Sequence, residues 1–245
     1  MKEFLQWTTL AVCAAATLAR IPSALRGTNR SLFFIFLLAT AAGVLSLEVF
    51  YFPIDRALGG VNVASLLLRL IVFAAIHLVA LRVSRAFGAR DAARLISGRI
   101  GLGVLGLFSA ALVMLFVLMD VSPSSPGMAD TGGRSGRNAA LLPYYWATAR
   151  GYPTYVSLAL LPSLARTLGS RLPPLVRTGA GLMAAGAVAT TAGFLLEFAA
   201  PALALERVVV NNGAVLFFVS GLVMVWLARV RAPRMGGLGT SSTER

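Results

Sequence analysis

Long apolar runs separated by short, arginine-bearing breaks organise the whole chain. Seven can be drawn, at roughly 4–19, 31–52, 61–81, 100–119, 144–165, 175–198 and 207–228. Each comes near the ~20 residues that an α-helix needs to cross a bilayer. The first is short, and the fifth is interrupted by Arg150, Gly151 and Pro153. The pattern predicts an all-α, polytopic membrane protein with seven transmembrane helices. The stretch VSPSSPGMADTGGRSGR at 121–137 is rich in Ser, Pro and Gly and reads as a flexible loop. The tail at 231–245, RAPRMGGLGTSSTER, reads the same way.

Composition agrees with the pattern. Of the 245 residues, 58% are hydrophobic and only 13% charged, and the mean hydropathy is +0.80. A soluble domain of this length would need more polar surface. The net charge of +13 is spread through short loops instead of clustering on a soluble face, so it bears on topology and not on nucleic acid. Fifteen basic residues fall on one side: Arg20, Arg26, Arg30, Arg82, Arg85, Arg90, Arg94, Arg99, Arg166, Arg171, Arg177, Arg229, Arg231, Arg234 and Arg245. Six fall on the other: Lys2, Arg56, Arg134, Arg137, Arg150 and Arg207. The positive-inside rule then puts the N-terminus outside and the C-terminus in the cytoplasm. Twenty-one of the 22 basic residues are Arg, beside abundant Ala and Gly, which suggests a GC-rich bacterial genome and hence a bacterial inner membrane. The five tyrosines, with Trp7 and Trp146, fall near the outer interface as an aromatic belt.

At the N-terminus, the leader MKEF of residues 1–19 has no net charge and Arg20 follows directly, so these residues are expected to be a retained helix and not a cleaved signal. The single cysteine, Cys13, reads as an ordinary helix residue; no disulfide, cysteine metal cluster or redox chemistry is expected.

Two segments look alike. ATAAGVLSLE at Ala39–Glu48 aligns with ATTAGFLLE at Ala189–Glu197 with one deletion. The match continues through Leu18–Arg20 against Leu164–Arg166, Asp55–Arg56 against Glu206–Arg207, and Val61–Asn62 against Val210–Asn211. This predicts parallel repeats at 1–81 and 144–228 joined by a linker helix at 100–119, within a single membrane domain spanning 1–230. A 3+1+3 arrangement of parallel repeats is a transporter layout, with the site at mid-membrane between the halves. It resembles the layout of SWEET-type sugar carriers, although their Pro-Gln motif is absent.

Ionisable groups inside a membrane are costly and by default face the bundle interior. Arg69 lies roughly 12 Å below the outer boundary and Glu48 roughly 6 Å, at 1.5 Å per residue. An ion pair between them is the main structural expectation. Asn62, Ser65 and Arg69 form one polar stripe. His77, rotated about 80° from Arg69, is expected to make an interhelical hydrogen bond, with proton relay as the sharper alternative. Glu197 has no matching arginine in the last segment, where Phe218 aligns with Arg69; it is expected either beside Asn211 or Asn212 or as a protonated carboxyl, the better candidate for proton coupling. The substrate or ion pathway is therefore expected to use Glu48, Asn62, Arg69, His77, Glu197, Asn211 and Asn212. Asp55–Arg56 and Glu206–Arg207 are expected as solvated turn charges.

GLGVLG at Gly101–Gly106 matches a dinucleotide fingerprint, but no strand precedes it, and its glycines read as helix contacts, like those from Gly179 to Gly193. No catalytic residue, metal ligand set or cofactor is assigned.

IDRALGGVNVASLLLRLIVFAAIHLVAL, with RIPSALRGTNRSL before it and RLPPLVRTGAGLMAAGAVA after it, resembles an actinobacterial multi-pass family loosely designated as transporters. Asp55–Arg56, Gly59 and Asn62 carry the resemblance. Many members have a further cytoplasmic C-terminal domain that has no counterpart in this sequence, so activity seated there does not carry over. The resemblance implies a multi-pass fold and little mechanism.

The leading expectation is a transporter of a small solute or ion; the alternative is a non-transporting sensor or assembly partner acting through the cytoplasmic loops. Expected partners are the bilayer, with anionic lipids at the Arg-rich loops, and an unidentified small molecule or ion. A buried Glu48–Arg69 pair without a cavity would favour the alternative, and a cavity between the halves would favour transport.

Overall fold

A computed structural model describes residues 2–27, 30–128, 130–198 and 204–231, without side chains at 2–6, 23, 127, 204–209, 211–212, 226 and 229–231. The expected tail falls outside the described residues from 232 onward. Among the described residues the chain is all-helical, apart from turns and one 3-10 turn at Pro126–Met128. The helices are α1 (Lys2–Leu25), α2 (Arg30–Ser46), α3 (Glu48–Ala57), α4 (Val63–Ala86), α5 (Arg90–Ser97), α6 (Arg99–Leu118), α7 (Gly136–Leu168), α8 (Pro174–Leu196) and α9 (Ala204–Arg231). Three of them, α4, α6 and α8, are long and apolar enough to cross a membrane; α2 and α3 make a fourth if taken as one broken span.

The local sequence explains the breaks. The hydroxyl of Ser46 donates to the Ala42 carbonyl at 2.7 Å, a back-bond that bends helices. Leu47 then turns extended, and α3 leaves α2 at 91°. At the end of α3, Gly59 adopts φ +107° and the chain closes with Gly60 N–H to Asp55 C=O at 2.7 Å and Gly59 N–H to Arg56 C=O at 3.2 Å. This is the paired bonding of a Schellman cap, which needs the left-handed region that glycine occupies without strain.

Packing follows chain order. α2 lies between α1 and α4, and α8 lies between α7 and α9. α6 packs on α7 and α5 bridges α4, α6 and α7. The main core is built from α4 to α8, with Phe73, Ile96, Leu112, Tyr145, Tyr152, Leu160, Leu164 and Met183 all but fully buried. The α8–α9 crossing is closest where Gly179 faces Gly221 and Gly186 faces Ala214, as expected of small residues at a helix contact. That reading fails in α6. Gly103 and Gly106 face open space, and Gly101 is required by the α5–α6 corner, where a methyl would strike the carbonyls of Leu95 and Ile96.

α7 sets the depth scale of the molecule. It runs for 33 residues through Pro143, Pro153 and Pro162, about 50 Å at 1.5 Å per residue. Its start is tied to the 119–135 loop and its middle lies beside α6, where Gly151 makes room for the Phe108 ring. Tyr152 and Tyr155 are therefore carried well away from the loop end: the Tyr155 hydroxyl donates to Leu95 C=O of α5 at 2.6 Å. The expected single belt of five tyrosines is corrected to three near the loop end, Tyr51, Tyr144 and Tyr145, and two farther along α7, Tyr152 fully buried and Tyr155 partly exposed beside α5.

Candidate functional site

Two polar clusters stand out, one at the loop end and one halfway along the helices. The first is built on Asp55 and Asn62, both fully buried. The Gly59–Gly60 turn folds the chain back so that Asp55 Oδ2 accepts the Asn62 N–H at 2.9 Å and Oδ1 accepts the Ala64 N–H at 2.8 Å. The carboxylate thereby caps the first turn of α4, where the helix dipole favours negative charge. It also accepts the Ser124 hydroxyl. The expectation of a solvated Asp55 is overturned, because the turn brings the amides of the next helix onto it.

Asn62, at φ 59° and ψ 21°, uses its whole amide. Oδ1 accepts the Tyr51 hydroxyl at 2.7 Å and the Ser125 N–H at 2.7 Å. Nδ2 donates to the carbonyls of Val121 and, at 3.0 Å, Pro123. Asn138 repeats the device at the far end of the loop: Oδ1 accepts Asp120 N–H at 2.9 Å, and Nδ2 donates to Asp120 C=O at 2.7 Å and Thr131 C=O at 3.0 Å. Val121, Ser125, Met128 and Thr131 are buried beneath this net. The stretch expected to be a flexible loop is a clamped cap, held by two asparagines that satisfy carbonyls its turns leave open.

The expected Glu48–Arg69 pair is not formed. The 91° bend after Ser46 removes Glu48 from the line of α2 and leaves it exposed at the start of α3. The guanidinium carbon of Arg69 lies instead 4.7 Å from the Tyr145 ring centroid and 4.3 Å from that of Trp146. Both are cation–π contacts. Asn62 and Ser65 of the same stripe are taken up by Tyr51, with Ser65 Oγ at 2.8 Å from its hydroxyl. His77 has the interhelical partner expected of it: Nδ1 sits 2.7 Å from the hydroxyl of Tyr152 in α7.

The second cluster was not foreseen as such. Arg150 of α7 forms a salt bridge with Glu197, which follows the last turn of α8; the Glu197 side chain is 6% exposed and that of Arg150 27%. Arg150 lines a cavity of about 470 Å³ with Ala75, Ile76 and Val79 of α4, Ser157 and Leu160 of α7, Thr190 of α8 and Phe218 of α9. Ala75 lies at the midpoint of α4 and Phe108, next to Gly151, at the midpoint of α6. Arg150, counted from the sequence as an outer loop charge, therefore lies at mid-height. The signal was present, since Arg150 stands inside its own apolar run. Phe218 fills the wall where the repeat alignment would put an arginine. The side chains of Asn211 and Asn212 lie outside the described residues.

Of the expected pathway residues, the structure pairs Glu197 with Arg150, which lines the cavity, puts His77 against Tyr152, and engages Asn62 and Arg69 in the cap and its aromatic neighbours. Comparison with known proteins returns no match, whether to a family model, a curated protein or a solved structure.

Proposed function

We propose that the protein is a multi-pass transporter of a small solute or ion, lying in a bacterial inner membrane with its N-terminus outside and its C-terminus in the cytoplasm, and that the Arg150–Glu197 pair is its polar intramembrane site. The observation that carries this is the cavity of about 470 Å³ at mid-height, largely apolar yet lined by Arg150, the cationic member of the ion pair, and by two hydroxyl residues, Ser157 and Thr190. Intramembrane charges face an interior path by default, and a site of this size with few polar groups is of ligand-binding proportions.

Seven spans are supported by α1, α2 with α3, α4, α6, α7, α8 and α9. With Arg150 removed from the outer count, five basic residues stand against fifteen, so the positive-inside argument gains. A duplication is supported by the like packing of α2 between its neighbours and α8 between its own, and by Glu48 and Glu197, each placed just beyond the end of its helix. The two halves then differ chemically: Glu197 is paired and Glu48 is exposed. The resemblance to a family designated as transporters points the same way.

The test is flux into liposomes carrying the purified protein, read with a pH dye for protons and with radiolabelled small organic anions and cations. Flux above empty liposomes that falls at least tenfold in Glu197→Gln and Arg150→Ala supports the reading. Flux no greater than in empty liposomes, or unchanged in both variants, contradicts it.

A further inference from the structure

A second and larger cleft, about 750 Å³, opens at the arginine-rich end of the bundle between α2, α4 and α9. It exists because α9 packs on α8 and has no comparable contact with α2 or α4. Its walls are Leu32, Ile35 and Phe36 of α2 and Val219, Leu222 and Val223 of α9, among other aliphatic side chains. Among the described residues its polar lining is three arginines, Arg20 of α1 with Arg82 and Arg85 of α4, and no acidic residue. The cleft meets the smaller cavity at Val79 and Val219, which line both.

We infer that this cleft is a binding site for an anionic phospholipid, its phosphate held by Arg82 and Arg85 with Arg20 beside them and an acyl chain lying between α4 and α9 toward Val79 and Val219. The shape of the chemistry decides the class of occupant. Positive charge is confined to one end and aliphatic wall fills the rest, which is the complement of an amphiphile with an anionic head. A free phosphate would match the arginines and leave the aliphatic walls unfilled. A zwitterionic lipid would bring a cation that meets no acidic side chain in the lining. Arginine is suited to the head because its planar fork binds phosphate oxygens in pairs and is less strongly hydrated than an ammonium. The inference requires a bilayer around the protein and does not require that it transport anything.

The test is thermal unfolding of the purified full chain in a neutral detergent, with phosphatidylglycerol, phosphatidylcholine or inorganic phosphate added, together with a count of lipid phosphorus retained per protein. Phosphatidylglycerol is expected to raise Tm well above phosphatidylcholine, and inorganic phosphate to leave it unchanged. Arg82→Gln with Arg85→Gln should weaken the phosphatidylglycerol response by about twenty-five-fold in concentration, at about fivefold for each arginine near an anionic head. Arg90→Gln with Arg94→Gln removes the same charge from α5, outside the cleft, and should keep the response. Val223→Trp fills the cleft from an exposed position with no change of charge and should lose both the response and the retained lipid. Equal responses to the two lipids, a response to inorganic phosphate matching that to phosphatidylglycerol, or equal losses in the α4 and α5 double variants would each overturn the inference. Glu197→Gln is expected to keep the full lipid response, so the lipid site and the flux reading fail separately.

Discussion

The cap around Asn62 and the cavity around Arg150 are both polar clusters in a largely apolar protein, and they treat hydrogen-bonding capacity in opposite ways. In the cap every bond of the Asn62 amide ends on a neighbour, the Asp55 carboxylate accepts three donors, and solvent reaches neither residue. At the cavity Arg150, paired with Glu197, borders about 470 Å³ of open space together with Ser157 and Thr190. A saturated buried network specifies structure. A charged side chain beside open volume has something left to offer a ligand. Burial of polar groups therefore locates the rigid part of this molecule, and polar groups beside empty volume locate the part that can act.

The comparison can be broken from either side. The largest effect is expected from Asp55→Ala, which leaves the Asn62 and Ala64 amides buried without an acceptor. At ~1–3 kcal/mol for each such group the loss is about 4 kcal/mol, read as a fall in Tm with flux per folded protein retained. Next is Gly151→Ala, whose added methyl would overlap the Phe108 ring; overpacking of this kind costs ~1–3 kcal/mol and should show in thermal unfolding, with a smaller loss of flux because Arg150 is displaced with it. Glu197→Gln should cost only ~1–2 kcal/mol, since Arg150 keeps some solvent and a half-screened pair is discounted, while flux is the quantity that collapses. The smallest effect is Tyr152→Phe, which removes the hydroxyl beside His77 and should cost ~1 kcal/mol with flux nearly intact. If Asp55→Ala abolished flux in folded protein while Glu197→Gln spared it, the roles of the two regions would be reversed.

Much of the helical layout was legible in the sequence because it depends on apolar length alone. α4, α6 and α8 lie where the runs at 61–81, 100–119 and 175–198 put them, within a few residues except for the arginine-end extension of α4. The candidate site was legible only in part, and the failures have physical causes. The depth argument that paired Glu48 with Arg69 assumed a straight helix to residue 52, and the turn at Leu47 breaks that assumption. Arg150 was misplaced because Gly151 and Pro153 read as an interruption, although α7 carries three prolines without breaking. Neighbouring helices can re-satisfy the backbone groups that proline frees. The cap was missed because Ser, Pro and Gly signal turns and say nothing of whether a buried asparagine will bind their carbonyls. His77 was read well, since a lone histidine on an apolar helix needs one partner and Tyr152 supplies it.

The central claim is that the buried charge pair is Arg150 of α7 with Glu197 at the end of α8, and not Glu48 of α3 with Arg69 of α4, and a double-mutant cycle on thermal unfolding tests it most directly. Arg150→Glu combined with Glu197→Arg should recover ~1–2 kcal/mol relative to the sum of the single variants, the coupling of residues in contact. Glu48→Arg combined with Arg69→Glu should be additive to within ~0.5 kcal/mol, as for residues that share no contact. Additivity in the first cycle together with strong coupling in the second would contradict the account.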